Sequence, residues 1–457
     1  MADDILFFCR TVKEHWPRPV ITGAFYGYFF SCFNRQAAGG HLALQKVLNS
    51  PDIDYLAGPQ AYLPEAEQPG EPYRSRSLLL SMRLHGKLWL DEMDQQPRRT
   101  FAYIEGIKDN RDNYAAAVRE NVAQLRRNLM FSLAKGSGLW FYDFGPAGMD
   151  LNARAERSPQ WGSQGYWDHP EYHRVVRECK ALADSALHRP WRSDADVLLV
   201  YDTEVNAHTK SLVADPDSVS LQLIDFSSLA LYYSGAVFDP VHLDDLYRVD
   251  LAQYKCVIFA NTFLLDEQDK KVIREKVARD GRHLVWLYAP GYSDGRTLDA
   301  GRVSEVTGMT LRSIPGSKKV AVAVAVGPGV TETLWGRAEP LFAVADAQAT
   351  VFGRFSGSGL PALALKRLPE HTAWFSAVPL TDDRSWRLIF GPAGVHFYTG
   401  EKSIVYAGNG LVTVHVKSGG THTVALRNGR KVALALPAGP STVVLDGESG
   451  RVLSGPE

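Results

Sequence analysis

The chain has 457 residues, of which 45% are hydrophobic and 22% are charged, and its formal net charge is -1. This composition is typical of a globular protein with two or three domains. The balanced charge gives no electrostatic reason to expect a nucleic acid or an anionic membrane as a partner. No apolar run reaches the length of a membrane span.

The cysteines are scattered along the chain and form no CxxC pair; they are Cys9, Cys32, Cys179 and Cys256. This spacing argues against a zinc site or a disulfide framework, and it is typical of a reducing compartment. The first residues also lack the basic start and the small-residue cleavage site of a signal peptide. We therefore predict a cytoplasmic location.

Residues 1–188 alternate between predicted strands and helices. The predicted strands are 20–30, 52–58, 87–92 and 139–144, and the helices are 3–16, 41–48, 75–84, 114–135 and 170–187. Such alternation predicts a parallel sheet with right-handed crossovers. A closed barrel of this kind needs eight strands and about 250 residues, so four strands predict only half of a (β/α) barrel.

The third predicted strand ends in a group of acidic residues. Leu88, Trp89 and Leu90 are followed at once by carboxylates at 91, 92 and 94. In a (β/α) barrel the carboxyl ends of the strands carry the catalytic groups. Glu92 is therefore the first candidate for a catalytic carboxylate. The alternative is that the acidic residues only begin a solvated loop.

Residues 189–318 predict a second, doubly wound α/β domain. Its strands are 197–201, 236–238, 256–260 and 283–288, and its helices are 217–234 and 266–279. The segment contains neither a GxGxxG turn nor a Walker loop, so no nucleotide site and no cofactor are expected. Cys256 lies inside an apolar strand and is interpreted as a core residue.

Residues 319–457 predict an all-β module of short alternating runs, among them 320–326, 351–355, 362–368, 372–378, 394–400, 412–418, 423–429 and 442–447. His396, His415 and His422 have neither HxH nor HExxH spacing. They are interpreted as surface or cross-strand residues, and no metal site is expected.

The order of these segments resembles the C-terminal part of the glycoside hydrolase family 42 β-galactosidases. VITGAFYGYFF resembles the family's fifth barrel strand, DIDYLAGPQAY the sixth, KLWLDEMDQQP the seventh, and GLWFYDFG with GYWDHPE the eighth. ADVLLVYD and AQYKCVIFANTFLLDE resemble strands of its trimerisation domain. The resemblance implies an α/β fold: a partial, half (β/α) barrel of TIM type in 1–188, a flavodoxin- or amidotransferase-like domain in 189–318, and a β-sandwich in 319–457.

The same resemblance implies the roles of the site residues. Glu92 matches the nucleophile of a retaining glycosidase, which forms a glycosyl-enzyme intermediate. The resemblance further implies contacts to a β-linked oligosaccharide by Trp89, Asp143, Trp161, Trp167 and Asp168. Loop packing is the alternative role of Trp161 and Trp167.

In the family, the acid/base glutamate follows an asparagine on the fourth barrel strand, and the strands of this chain match only the fifth to eighth. Three explanations are open: a fragment, a barrel completed by a second copy or another polypeptide, or an acid role taken by Asp54, Glu65 or Glu105. Two open sheet edges favour pairing between copies, and hence a homo-oligomer, a dimer or a trimer.

The leading hypothesis is a retaining β-glycosidase that resembles β-galactosidases. A β-glucosidase or cellulase-like activity is an alternative within the same class. A non-catalytic carbohydrate-binding or scaffold protein that lacks the acid/base is the alternative from another class. An amidotransferase-like enzyme would need a cysteine at a strand–helix elbow, and Cys256 does not fit that position.

Overall fold

The computed structural model describes residues 1–32, 36–61, 68–95, 111–143, 167, 169–209, 219–316, 319–335 and 338–456. Its helices are α1 Ala2–His15, α2 Leu44–Leu48, α3 Leu79–Leu84, α4 Arg111–Lys135, α5 Pro170–Leu187, α6 (219–232), α7 (267–277), α8 Ala300–Thr307 and α9 Asp383–Phe390. Helices α6 and α7 each contain a π-helical turn, Gln222–Phe226 and Ile273–Val277 respectively.

The strands in the first half of the chain are β1 Gly23–Phe25, β2 Tyr55–Pro59, β3 Leu88–Met93, β4 Gly138–Phe141, β5 Val197–Tyr201, β6 Phe238–His242, β7 Cys256–Phe259, β8 His283–Leu287 and β9 Leu311–Ile314. Those in the second half are β10 Val320–Val326, β11 Gly329–Trp335, β12 Leu341–Val344, β13 Thr350–Phe355, β14 Pro361–Arg367, β15 Thr372–Ser376, β16 Ile404–Gly408, β17 Leu411–Val416, β18 Gly420–Ala425, β19 Lys431–Leu436, β20 Ser441–Asp446 and β21 Val452–Ser454.

The first four strands form one sheet in the order β1-β2-β3-β4, and β3 and β4 pair in parallel. Sequential parallel strands separated by helices are the repeating unit of a (β/α) barrel. This sheet therefore fits part of such a barrel. Within the described residues, β1 and β4 are its outer strands.

The chain divides into two compact units. The first contains Met1–Leu56, Ser77–Leu88 and Ala195–His396, and the second contains Ala57–Arg76, Trp89–Asp194 and Phe397–Glu457. Each unit thus combines segments from all three predicted domains.

The first unit contains a nine-stranded sheet in the order β11-β10-β13-β14-β15-β8-β7-β5-β6. Strands β5, β7 and β8 pair in parallel and every one of their residues is buried. Continuous apolar runs are expected for parallel strands covered on both faces. The predicted α/β character of 189–318 agrees with this part of the sheet.

The predicted boundary at residue 318 falls inside this sheet. Strand β15 pairs in parallel with β8, and β14, β13, β10 and β11 continue the sheet from β15 in antiparallel order. Strands β10, β11, β13, β14 and β15 therefore extend the α/β sheet and do not begin a separate sandwich, whereas β12 pairs with β9 in a two-stranded sheet. The predicted strand at 394–400 is replaced by irregular chain with one isolated bridge, from Thr399 to Val424.

The second unit contains α4, α5, β4 and the strands β16 to β21. β16, β17, β20 and β21 form an antiparallel sheet, and β18 and β19 form a hairpin. Leu125 and Met130 of α4, Val175 of α5 and Val444 of β20 belong to one hydrophobic core. Helix α5 begins with the ring of His169 accepting from the Glu171 N–H, and with proline at its first position.

A buried polar network also stabilises this unit. The Arg127 guanidinium is fully buried and donates to the carbonyl oxygens of Gln68 and Glu71. His415 is also buried: its Nε2 accepts from the Gly70 N–H at 2.9 Å and its Nδ1 lies 2.7 Å from the Thr442 hydroxyl. His415 is thus a cross-strand residue, as predicted, but it is not at the surface. No helix in the described part of the chain is long and apolar enough to cross a membrane.

Candidate active site

Strand β3 has two faces with different surroundings. Trp89, Asp91 and Met93 are buried, whereas Leu90 and Glu92, which alternate with them, are partly accessible. Side chains alternate between the two faces of a strand. Glu92 therefore points to the opposite side of the sheet from Trp89 and Asp91.

Asp91 is a buried carboxylate held by three donors. It accepts from the Ser75 hydroxyl at 2.7 Å, the Trp89 indole N–H at 2.8 Å and the Ser137 hydroxyl at 3.4 Å. Burial raises the pKa of Asp91 to about 6, although these hydrogen bonds act to lower it. The network connects β3 to the residues that precede α3 and β4, so Asp91 holds this part of the sheet together.

Glu92 lies next to the last residue of β3, at the carboxyl end of the strand. Its carbonyl oxygen accepts from the Gln60 N–H at 3.2 Å, and it pairs in register with Trp140 of β4. Burial raises the pKa of Glu92 above its ordinary value, and the nearby charge of Asp94 raises it further. A partly accessible carboxylate of raised basicity has the properties that a nucleophile or a general base needs.

Exposed aromatic residues mark the carboxyl end of β4. Trp140 is 44% exposed, and Phe141 and Tyr142 are exposed as well. Because Trp140 is the register partner of Glu92 in a parallel pair, both side chains lie on the same face of the sheet. An accessible indole beside a carboxylate suits the C–H face of a sugar ring.

Asp143 and Trp167 meet just beyond β4. A carboxylate oxygen of Asp143 accepts from the backbone N–H of Trp167 at 3.3 Å. The Trp167 ring packs edge-on against Phe141 and Tyr172, with centroids 5.7 and 5.9 Å apart. The structure thus brings together two of the predicted site residues at the end of β4.

The other predicted site residues have different outcomes. Trp89 is 1% exposed and its indole donates to Asp91, so both faces of its ring are enclosed in the core. The alternation of buried and accessible residues along β3 separates it from Glu92. Trp161 and Asp168 lie outside the described residues.

The three candidates for the acid role also differ. Asp54 precedes β2, at the amino end of the strand, and forms an ion pair with Lys13 at 2.9 Å while accepting from the Thr22 N–H. Burial acts to raise its pKa, but Lys13 and Thr22 outweigh this and keep the pKa below its ordinary value. Asp54 is therefore a poor proton donor at the wrong edge of the sheet. Glu65 and Glu105 lie outside the described residues.

Asp91 and Trp140 were not among the site residues predicted from the sequence. The burial of Asp91 could have been predicted, because side chains alternate between the two faces of a strand. This alternation places Asp91 on the same face as Trp89 and Met93. The exposure of Trp140 depends on which strands lie next to β4, and the local sequence pattern does not predict these neighbours. The described residues contain no group of three or more His, Cys, Asp or Glu side chains that could hold a metal ion.

No protein-family model matches this sequence, and no curated protein matches it. Among solved structures, five structures of β-galactosidases share the fold at 14 to 15% sequence identity, and two of them are of one glycoside hydrolase family 42 enzyme from G. stearothermophilus. The β-galactosidase of Halorubrum lacusprofundi matches with a TM-score of 0.56 and 15% identity over 97% of this chain and 67% of its own.

Two further matches have similar extents. The β-galactosidase of Bacillus circulans sp. alkalophilus matches with a TM-score of 0.50 and 15% identity over 88% of this chain and 64% of its own. An exo-β-1,4-mannosidase from Opitutaceae bacterium strain TAV5 matches with a TM-score of 0.51 and 14% identity over 86% of this chain and 68% of its own. The chain thus spans about two thirds of the length of these enzymes, and the likeness establishes a glycoside hydrolase type of fold.

Proposed function

We propose that the protein is a retaining β-glycosidase, β-galactosidase-like in its substrate, with Glu92 as the nucleophile. The observation that carries the proposal is the position of Glu92 at the carboxyl end of β3, on the accessible face and in register with the exposed Trp140. The likeness of the fold to β-galactosidases and to a β-mannosidase supports the same class of substrate.

In this mechanism the Glu92 carboxylate attacks the anomeric carbon and the leaving oxygen departs with a proton. A second carboxyl group, about 5 to 5.5 Å from the nucleophile in retaining enzymes, supplies that proton and then activates water. Burial and Asp94 raise the pKa of Glu92. The acid limb of the pH–rate profile should therefore lie above the range of an ordinary glutamate.

The sugar-binding part of the proposal uses the aromatic end of β4. Trp140 offers an open ring beside Glu92, and Asp143 offers a carboxylate to sugar hydroxyls. Trp167, whose backbone N–H donates to Asp143, is proposed as a further sugar contact. Trp161 and Asp168 are proposed as sugar contacts on the family resemblance. Trp89 is not included, because its ring is enclosed.

We further propose that the proton donor is either Glu65 or Glu105, or a carboxyl group of a second copy in a homo-oligomer, a dimer or a trimer. The exposed apolar surface supports association. On α1, Phe8 and Val12 are four residues apart and exposed on one face of the helix, and Trp16, the residue that follows its end, is exposed as well. Contiguous exposed apolar surface of this kind marks interaction sites.

A cytoplasmic location is part of the proposal. All four cysteines are free thiols and all are buried. Unpaired cysteines suit a compartment in which thiols stay reduced.

The test is turnover of dinitrophenyl and nitrophenyl β-glycosides by the wild type, by Glu92→Gln and by the surface control Glu448→Gln. The proposal predicts turnover by the wild type and by the control, and a loss of at least about a thousandfold in Glu92→Gln. Turnover of the dinitrophenyl substrates alone would place the nucleophile here without its proton donor. Equal rates in the wild type and in Glu92→Gln would contradict the assignment.

A second candidate is a non-catalytic carbohydrate-binding protein, favoured by the exposed aromatic residues at the end of β4. It predicts no turnover of either substrate class, together with galactoside binding that is lost in Trp140→Ala. Sedimentation of the wild type in the same buffer tests the homo-oligomer, which a single monomeric species would exclude. Turnover of glucosides in preference to galactosides would favour the β-glucosidase or cellulase-like alternative.

A further inference from the structure

The first unit contains a cavity that the proposed glycosidase site does not use. It has a volume of about 300 Å³ and lies between α7, the end of α8 and the turn between β14 and β15. Strand β8 contributes Leu284 and Trp286 to its floor, and Ile273, Val306 and Leu368 line it as well. Its size is at the lower end of the range for small-molecule sites, and its lining is mostly apolar, as such sites require.

Among the cavity-lining residues with a polar side-chain atom, Trp286 is the most buried. The residue is 1% exposed, and one face of its ring stacks on Phe259 at a centroid distance of 4.1 Å. Its indole nitrogen is buried and has no hydrogen-bond partner among the described residues. A buried N–H without an acceptor costs free energy, and an acceptor atom in the cavity would remove that cost.

Charged residues line the cavity above the apolar floor. Lys270 pairs with Glu267 at 3.0 Å, whereas Arg274 has no hydrogen bond or ion pair within the described ranges. Arg274 and Glu305 both line the cavity but do not form an ion pair in this part of the chain. A guanidinium without a partner is the side chain best suited to bind a carboxylate with two parallel hydrogen bonds.

The shape of the cavity depends on a glycine. Gly308 ends α8 with a positive φ of 67°, and a Cβ at this position would lie 2.8 Å from a methyl group of Leu368. His371 lines the cavity on the same side, together with Ala278. These contacts close the wall around the apolar floor.

We infer that this cavity binds a small organic carboxylate with a flat apolar body. The apolar body occupies the floor beside Leu284 and Val306, an acceptor atom takes the Trp286 N–H, and the carboxylate meets Arg274. This site is independent of the glycosidase proposal, because all its residues belong to the first unit and none belongs to β3 or β4.

The test uses 4-fluorobenzoate as the probe and 4-fluorobenzyl alcohol as its uncharged match, observed by fluorine NMR with the full chain. We expect the benzoate to bind with a dissociation constant of about 1 mM, which is usual for a ligand of this size. Arg274→Ala should weaken binding by at least about fivefold. Trp286→Phe should weaken it by about threefold to tenfold through the lost hydrogen bond.

Lys271→Ala is the matched control, because Lys271 is an exposed cation on the same helix that does not line the cavity. It should leave binding unchanged. Arg274 is at the surface, so its variant tests the site even if Trp286→Phe unfolds the protein. Equal binding of the two probes, binding unchanged in Arg274→Ala, or no binding of the benzoate at about 10 mM would each overturn the inference.

Discussion

Replacing Asp91 with asparagine should remove one pH dependence from the stability of this protein. Burial raises the pKa of Asp91 from 3.8 to about 6 in the folded state, whereas the unfolded chain keeps the ordinary value. Between these two pH values the folded protein binds more protons than the unfolded chain does. The free energy of unfolding therefore decreases as the pH rises through this range.

The size of the effect follows from the two pKa values. The difference between 3.8 and about 6 corresponds to about 3 kcal/mol at 1.36 kcal/mol per pKa unit. Asp91 is fully buried, so solvent does not screen this contribution. The wild type should thus lose about 3 kcal/mol more than Asp91→Asn does between pH 3.5 and pH 7.

Urea unfolding of both proteins across this pH range measures the difference, because every other titrating group is common to the two. Asp184→Asn, which removes an exposed carboxylate, is the control and should keep the wild-type pH dependence. If Asp91→Asn and the wild type show the same pH dependence, Asp91 does not titrate as a buried acid and the account of β3 is wrong.

Three other outcomes are expected. His415→Ala should lower the free energy of unfolding at pH 7.5 by about 2 to 4 kcal/mol, because the Gly70 N–H loses its acceptor and the Thr442 hydroxyl keeps only its bond to the Ala123 carbonyl; urea unfolding measures it. Asp54→Asn should leave glycoside turnover within about twofold of the wild type, because Asp54 is paired with Lys13 at the amino end of β2. A thiol reagent should label none of the four buried cysteines of the native protein and all four in urea.

Each of these outcomes has a clear contrary result. Wild-type stability in His415→Ala would mean that water replaces the imidazole as the acceptor for the Gly70 N–H. A large loss of turnover in Asp54→Asn, with the fold intact, would restore Asp54 as a candidate acid. Rapid labelling of a native thiol would show that at least one cysteine is accessible.

The sequence predicted the strands near the site better than their surroundings. Residues 87–92 were predicted as a strand, and the observed strand is Leu88–Met93. Its alternation also places Trp89 on the face opposite Glu92, so the enclosed position of Trp89 was implied by the same pattern. The ion pair of Asp54 was not predictable, since Lys13 is 41 residues away along the chain.

The sheets were harder to predict than the strands. The alternation in VAVAVAV identified β10 correctly, but alternation does not state which strand is the neighbour. Strands β10, β11, β13 and β14 join the α/β sheet because β15, Thr372–Ser376, pairs in parallel with His283–Leu287. That pairing connects segments far apart in sequence, and neither segment contains a local pattern that predicts the other as its neighbour.

The most direct test of the central claim is covalent trapping of the nucleophile. The wild type is incubated with a dinitrophenyl 2-deoxy-2-fluoro-β-galactoside, and the intact mass and the labelled peptide are determined. The account predicts one fluoroglycosyl group per chain, attached to Glu92, and none in Glu92→Gln. Label on another carboxylate, or turnover of the unfluorinated substrate without any label on Glu92, would contradict it.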